Sequence, residues 1–172
     1  MNCPVCMSDN IAKTKVSIVS PYNHVRYTLY KCKKCKLEFW DPIKIVPDLY
    51  ENEFIESYKV IHSGSHGLRS YNEHFFSRIG RNGGKLLDAG CGDGSFMEEA
   101  KKKGFEVFGL DLDQKSIEAC RRKSLIVFNE MLNEFVADHS EFHNSFDIVT
   151  FFEVLEHQDA PIEFLQNIKK LV

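Results

Sequence analysis

Two sets of residues in this chain have the types and the spacing to do chemistry. The first is four cysteines in two identical pairs, Cys3-Pro-Val-Cys6 and Cys32-Lys-Lys-Cys35. Four thiolates in two close pairs suit a tetrahedral zinc ion at about 2.3 Å per bond. Such a closed site leaves no open position for catalysis, so its predicted role is structural. The second is the run Asp88-Ala-Gly90-Cys91-Gly92-Asp-Gly94. Its alternating glycines permit a tight turn whose backbone approaches a ligand with no side chain between, and a nucleotide-like ligand belongs there. Asp111 stands about 20 positions beyond the first glycine, where doubly wound folds place the carboxylate that accepts from ribose hydroxyls. A dinucleotide fingerprint would need glycine at position 95, which is Ser95, so the spacing argues against a dinucleotide.

The elements that must position these residues follow from periodicity. Leu86, Leu87 and Ala89 make the apolar run of a parallel strand, and the helix from about 95 to 103 buries Phe96, Met97 and Ala100 before stopping at Gly104. Phe105 to Asp111 is the second strand, Asp113 caps a helix in which Cys120 is packing, and Leu125 to Phe128 is the third strand. A helix over 133–139 and a surface loop over 142–145 lead to the fourth strand, Phe146 to Phe152. Asp159 and an early proline start a last helix with Phe164, Leu165, Ile168 and Leu171 buried. Upstream, residues 48–58 read as helical, His62 and His66 as exposed loop histidines, and Leu68 to Ile79 as an amphipathic helix.

Between the cysteine pairs, Lys13 to Val19 and Val25 to Tyr30 alternate as strands around a turn near Pro21, which is a zinc-ribbon pattern. Ribbons often carry glycine after each knuckle, whereas Met7 and Lys36 stand here. Trp40 is expected in a core.

Three stretches carry a resemblance. Leu86-Leu-Asp-Ala-Gly-Cys-Gly-Asp-Gly94 resembles the first motif of the S-adenosylmethionine-dependent methyltransferases of class I, with their Rossmann-like sheet, and Val107 to Asp111 resembles the second. Phe146 to His157 is similar to the fourth strand and following loop of the subgroup related to ubiquinone-biosynthesis and sugar methyltransferases. The resemblance implies an α/β fold supplying strands 3-2-1-4 of a seven-stranded sheet, preceded by a small zinc-ribbon β module. The expected division is 1–46 ribbon, 47–84 linker and N-terminal helices with Tyr50 and Tyr58 as lid candidates, and 85–172 a partial S-adenosylmethionine-binding domain. Of the cofactor, the resemblance gives Asp88 the methionine ammonium, Gly90, Cys91 and Gly92 the backbone approach, and Asp111 the ribose, with Asp113 a second acid. It puts Leu112 in the same site and the stretch from Asn129 to Leu132, Met131 above all, beside the adenine. Phe152 and Glu153 flank the methionine arm. His157 is then a candidate general base oriented by Glu156, since an imidazole with a pKa near 6.5 can take a proton from a hydroxyl as the methyl group arrives.

Composition bounds the rest. With 43% hydrophobic and 27% charged residues the chain is globular, and no apolar run approaches the roughly 18 residues needed to cross a membrane. No signal peptide opens the sequence, which points to the cytoplasm, where six cysteines suggest metal or free thiols before disulfides. Residues 1–46 carry eight Lys or Arg against three Asp or Glu, while the remainder carries 14 against 22. The expected activity is methyl transfer to O, N or C of a small-molecule or sugar acceptor. The alternatives are an RNA methyltransferase using the basic ribbon, or a non-catalytic cofactor-binding or partner-recruiting module. Strand four would be an exposed apolar edge, for which truncation of a longer enzyme, completion by another chain, or self-association are the explanations, truncation foremost.

Overall fold

The computed structural model describes residues 1–21, 23–43, 56–64, with the backbone alone at 56–58, and 67–172. Tyr50, His66 and the side chain of Tyr58 lie outside the described residues. The alternating N-terminal stretch forms an antiparallel sheet of β1 (Ile11–Val19), β2 (Arg26–Cys32) and β3 (Glu38–Asp41), in that order. On β3, Phe39 turns inward and stacks on Tyr30 at 6.1 Å. Its neighbour Trp40, opposite Leu29, is therefore on the other face of the pleat and 38% exposed, which corrects the expectation of a core tryptophan.

The remaining elements are α1 (Glu56–Ser63), α2 (Ser70–Arg78), β4 (Gly84–Ala89), α3 (Ser95–Lys102), β5 (Phe105–Leu110), α4 (Gln114–Arg122), β6 (Ile126–Phe128), α5 (Leu132–Asp138), β7 (Ile148–Thr150) and α6 (Pro161–Leu171). The four later strands pair in parallel in the order β6-β5-β4-β7, the expected 3-2-1-4. Two apolar clusters cover the sheet. Leu87, Phe108 and Leu110 pack with Phe135 and Val136 of α5 and Phe164 and Leu171 of α6. Leu86 and Val107 pack with Phe96, Met97 and Ala100 of α3 and Cys120 of α4, with Phe75 and Phe76 of α2 against them.

The loop expected over 142–145 and the expected start and buried face of the last helix are corrected. The stretch from 142 is no plain surface loop. Phe142 stacks on Phe135 and Phe146 and meets Phe108 edge-on, and the Lys85 ammonium sits 4.8 to 5.5 Å from the rings of Phe108, Phe142 and Phe146. In α6 the N-cap is Ala160, not Asp159, and Leu165 is exposed while Asn167 is buried. Asn167 lies three residues from Phe164 and four from Leu171, so helical geometry puts it on their face and turns Leu165 away. No helix of the described residues is long and apolar enough to cross a membrane.

Candidate functional site

At the carboxyl end of β4 the chain reverses through Gly90, Gly92 and Gly94, all at positive φ (87°, 53° and 77°). The Gly90 and Cys91 amides both donate to the Leu110 carbonyl, at 2.7 and 2.9 Å, which stitches the turn to β5. The three glycines answer different needs. A Cβ on Gly90 would stand 2.4 Å from Val154 Cγ2, and one on Gly94 2.4 Å from Leu125 Cδ1 and 2.9 Å from Cys120 Sγ. One on Gly92 would meet nothing closer than Ile61 Cγ2 at 3.9 Å. Gly90 and Gly94 thus serve internal packing, and Gly92 is the position with room beside its Cα, its amide and carbonyl being engaged by Asp111 and by the Cys120 thiol.

Asp111 fixes this turn. Its Oδ2 accepts from the Gly92 amide at 2.8 Å and its Oδ1 from the Asp113 amide at 2.9 Å. Asn129 clamps the same loop by donating to the carbonyls of Asp111 and Leu112 at 2.9 and 3.0 Å. Burial raises the Asp111 carboxyl above its ordinary range, against the pull of those amides. Asp88, the neighbour of Thr150 across the β4–β7 pair, is 3% exposed, and burial pushes its carboxyl up to about 7 although the Thr150 hydroxyl donates to it. The Cys91 thiol packs under the turn against Gly109, and its hydrogen bond with Cys120, then burial, push it well up.

These groups open on one cavity of about 730 Å³. It brings together Asp88, Gly90, Cys91, Gly92, Asp111, Leu112, Asp113, Met131, Phe152, Glu153, Glu156 and His157. Glu156 and His157 are exposed at its rim, on a short 3-10 turn over Leu155–His157. Asn129 does not line it. Glu153 has φ 55°, a conformation rare for a side-chain-bearing residue. From the α2 side, the Tyr71 hydroxyl donates to Glu153 Oε2 at 2.9 Å, and Arg69 Nη1 lies 3.5 Å from the same oxygen. Burial, then the bond to Glu153, push the Tyr71 hydroxyl up to about 12. Arg69, Tyr71 and the buried Asn72 line the cavity; the helical periodicity spoke for Tyr71 only as packing and did not single out Arg69 or Asn72.

His62 departs from the exposed loop residue expected. It lies in α1, its side chain is 10% exposed, and its Nε2 meets Asp113 Oδ2 at 2.6 Å. Burial by α4 is a tertiary effect that composition around His62 could not announce.

In the ribbon, the sulfurs of Cys3, Cys6, Cys32 and Cys35 all lie within 4.8 Å of one another, with Cys3–Cys35 at 3.6 Å and Cys6–Cys32 at 3.5 Å. Four sulfurs around an ion at about 2.3 Å stand about 3.8 Å apart, so the donor set fits zinc. The two knuckles repeat one geometry. Met7 and Lys36, at φ 56° and 68°, each donate to the carbonyl of the first cysteine of their pair at 3.0 Å. These are the glycine-like positions, occupied by ordinary residues in the left-handed conformation. The Cys35 amide donates to Cys32 Sγ and, foremost among its surroundings, draws that thiol down to about 6.

The methyltransferase domain family matches residues 65–172, which hold the whole parallel sheet. The chain belongs to this family. The chain is similar to the ubiquinone biosynthesis O-methyltransferase of Vibrio cholerae, 33% identical over 93 residues, covering 52% of this chain and 38% of that protein. A protein of the same name from Shewanella halifaxensis is 28% identical over 147 residues, covering 83% of this chain and 56% of the relative. The chain thus spans about two-fifths to somewhat over half the length of these relatives. Among solved structures, the 1,6-didemethyltoxoflavin-N1-methyltransferase of Burkholderia thailandensis, with S-adenosylhomocysteine bound, aligns with TM-score 0.53 at 19% identity. It covers 85% of this chain and 64% of that one, and shares the fold.

Proposed function

We propose that the chain works as an S-adenosylmethionine-dependent methyltransferase on a small-molecule or sugar acceptor, within the division 1–46, 47–84 and 85–172. The observation that carries this is the convergence of Asp88, the Gly92 backbone and Asp111 on one cavity at the carboxyl ends of β4 and β5. S-adenosylmethionine supplies a methyl group already activated by a sulfonium, so the protein's share is positioning and proton removal. Asp88 meets the methionine ammonium, and the cation favours the ionised form of a carboxyl that burial otherwise raises. Asp111 orients the ribose, Leu112 and Met131 flank the adenine, and Phe152 and Glu153 the methionine arm. His157, on the rim, takes the proton from the acceptor, with Glu156 beside it. The carboxylate of the methionine arm would have as its cation Arg69, which lines the cavity and lies 3.5 Å from Glu153. Cys3, Cys6, Cys32 and Cys35 hold a structural zinc ion, and the chain works in the cytoplasm.

Calorimetric titration with S-adenosylhomocysteine tests the reading. Micromolar binding, about −8 kcal/mol, lost in Asp111→Ala supports it. A folded protein that does not bind removes it.

A further inference from the structure

We infer that His62 is a positioning residue of the cofactor crevice, pinning α1 onto the glycine turn through Asp113. The inference rests on the crevice being the S-adenosylmethionine site.

The C-terminal end of α1 is tied to α4 and its N-cap by two polar contacts. His62 Nε2 reaches Asp113 Oδ2 at 2.6 Å, with Asp113 buried and the His62 side chain 10% exposed. Arg122 Nη2 donates to the His62 carbonyl at 3.0 Å. Gly64, at φ 73°, lets the chain leave the helix so close that a Cβ there would stand 3.7 Å from Ala119 Cβ. This seating brings Ile61 into the wall of the cavity, 3.9 Å from where a Cβ on Gly92 would be. The helix therefore lies beside the one glycine of the turn with room at its Cα.

The pin also connects to the carboxylate assigned to the ribose. Asp113, held by His62, donates its amide to Asp111 Oδ1, and Asp111 Oδ2 accepts from Gly92. Three consecutive hydrogen bonds thus join α1 to the turn, so the seat of α1 and the shape of the turn depend on each other. Asp113 also caps α4, but that role survives without His62. The Ser116 hydroxyl donates to Oδ2 at 2.6 Å, and the Lys115 and Ser116 amides reach the same carboxylate. Losing the His62 side chain leaves the cap satisfied and removes the link from α1 to Asp113, with Arg122 on the carbonyl of residue 62 as the remaining polar tie. By reciprocity, a ligand that needs the seated turn strengthens the pin, and the pin strengthens the ligand.

The test compares the natural chain with His62→Ala and His62→Gln, the latter placing an N–H at similar reach. S-adenosylhomocysteine affinity is measured by calorimetry, and backbone hydrogen exchange over 56–64 with and without that ligand. The expected result is slower exchange of this segment on binding, about tenfold weaker affinity in His62→Ala, and affinity restored to within about threefold in His62→Gln. Equal affinity in the natural chain and His62→Ala, or exchange over 56–64 that ignores the ligand, overturns the pin while leaving the proposed function standing. Failure of the folded natural chain to bind overturns both. If His62→Ala does not fold, the comparison of His62→Gln with the natural chain and the exchange of the natural chain decide.

Discussion

Thr150 and Asp88 are joined across the β4–β7 pair, the threonine hydroxyl donating to Asp88 Oδ1 at 2.7 Å. This bond is the main pull toward ionisation on a carboxyl that burial holds up at about 7. The folded chain keeps this proton at pH values where the unfolded chain has released it, so unfolding releases a proton between about pH 4 and 7. The stability attached to Asp88 is therefore full below about pH 4 and falls as pH rises through about 7. Asp88→Asn removes this titration. The expected outcome is a melting temperature for the natural chain that declines, relative to the variant, from about pH 4 to about pH 8. A constant difference would show that Asp88 is not raised.

The same carboxyl should make cofactor binding release a proton. On the proposed reading an ammonium ligand selects ionised Asp88, so S-adenosylhomocysteine affinity rises as pH goes up through about 7. Calorimetric heats at pH 6 should differ between buffers of different ionisation enthalpy. Thr150→Val, which removes the donor, should move the rise to higher pH.

Substitutions in the glycine turn should rank by what each Cβ meets. Gly90→Ala combines left-handed backbone with a 2.4 Å approach to a stiff β-branched side chain, and about 3 kcal/mol of stability should be lost. Gly92→Ala meets only ordinary contact, so about 1 kcal/mol is expected, with ligand affinity affected more than folding. Denaturant melts of the two variants check the order.

Each cysteine knuckle has a position where glycine should help. Met7 and Lys36 hold left-handed backbone without glycine, and Met7 is exposed. Met7→Gly and Lys36→Gly should each stabilise the knuckle by about 1 kcal/mol, seen as slower metal loss to a chelator. The natural protein should contain one equivalent of zinc, and a content far below that would remove the structural-ion reading.

His157→Ala should lower turnover about a hundredfold while leaving S-adenosylhomocysteine affinity unchanged, since His157 is exposed and stands on the 3-10 turn, outside the glycine turn. Unchanged turnover would return His157 and Glu156 to loop shaping.

The sheet order and glycine turn were legible because their signals are local: an apolar run, then glycine at fixed offsets, then a capped helix. The cysteine pairs were legible for the same reason. What could not be read depended on partners far along the chain. His62 finds Asp113 at a separation of 51 residues, and Tyr71 finds Glu153 at 82. Phe142 sits in polar sequence, and only folding brings the rings of Phe135, Phe108 and Phe146 around it. The knuckle departures at Met7 and Lys36 were visible, but their backbone conformation was set by the amide each must give to a cysteine carbonyl.

Trp40 is the single tryptophan of the chain, and it stands on the outer face of the ribbon sheet. Emission excited at the red edge of the protein absorption band therefore comes from that sheet alone. Its colour and quenching report the fate of the cysteine module, while the far-ultraviolet helix signal arises in the rest of the chain. Two optical channels on one unlabelled sample thus distinguish a ribbon that melts on its own from one that melts together with the parallel sheet.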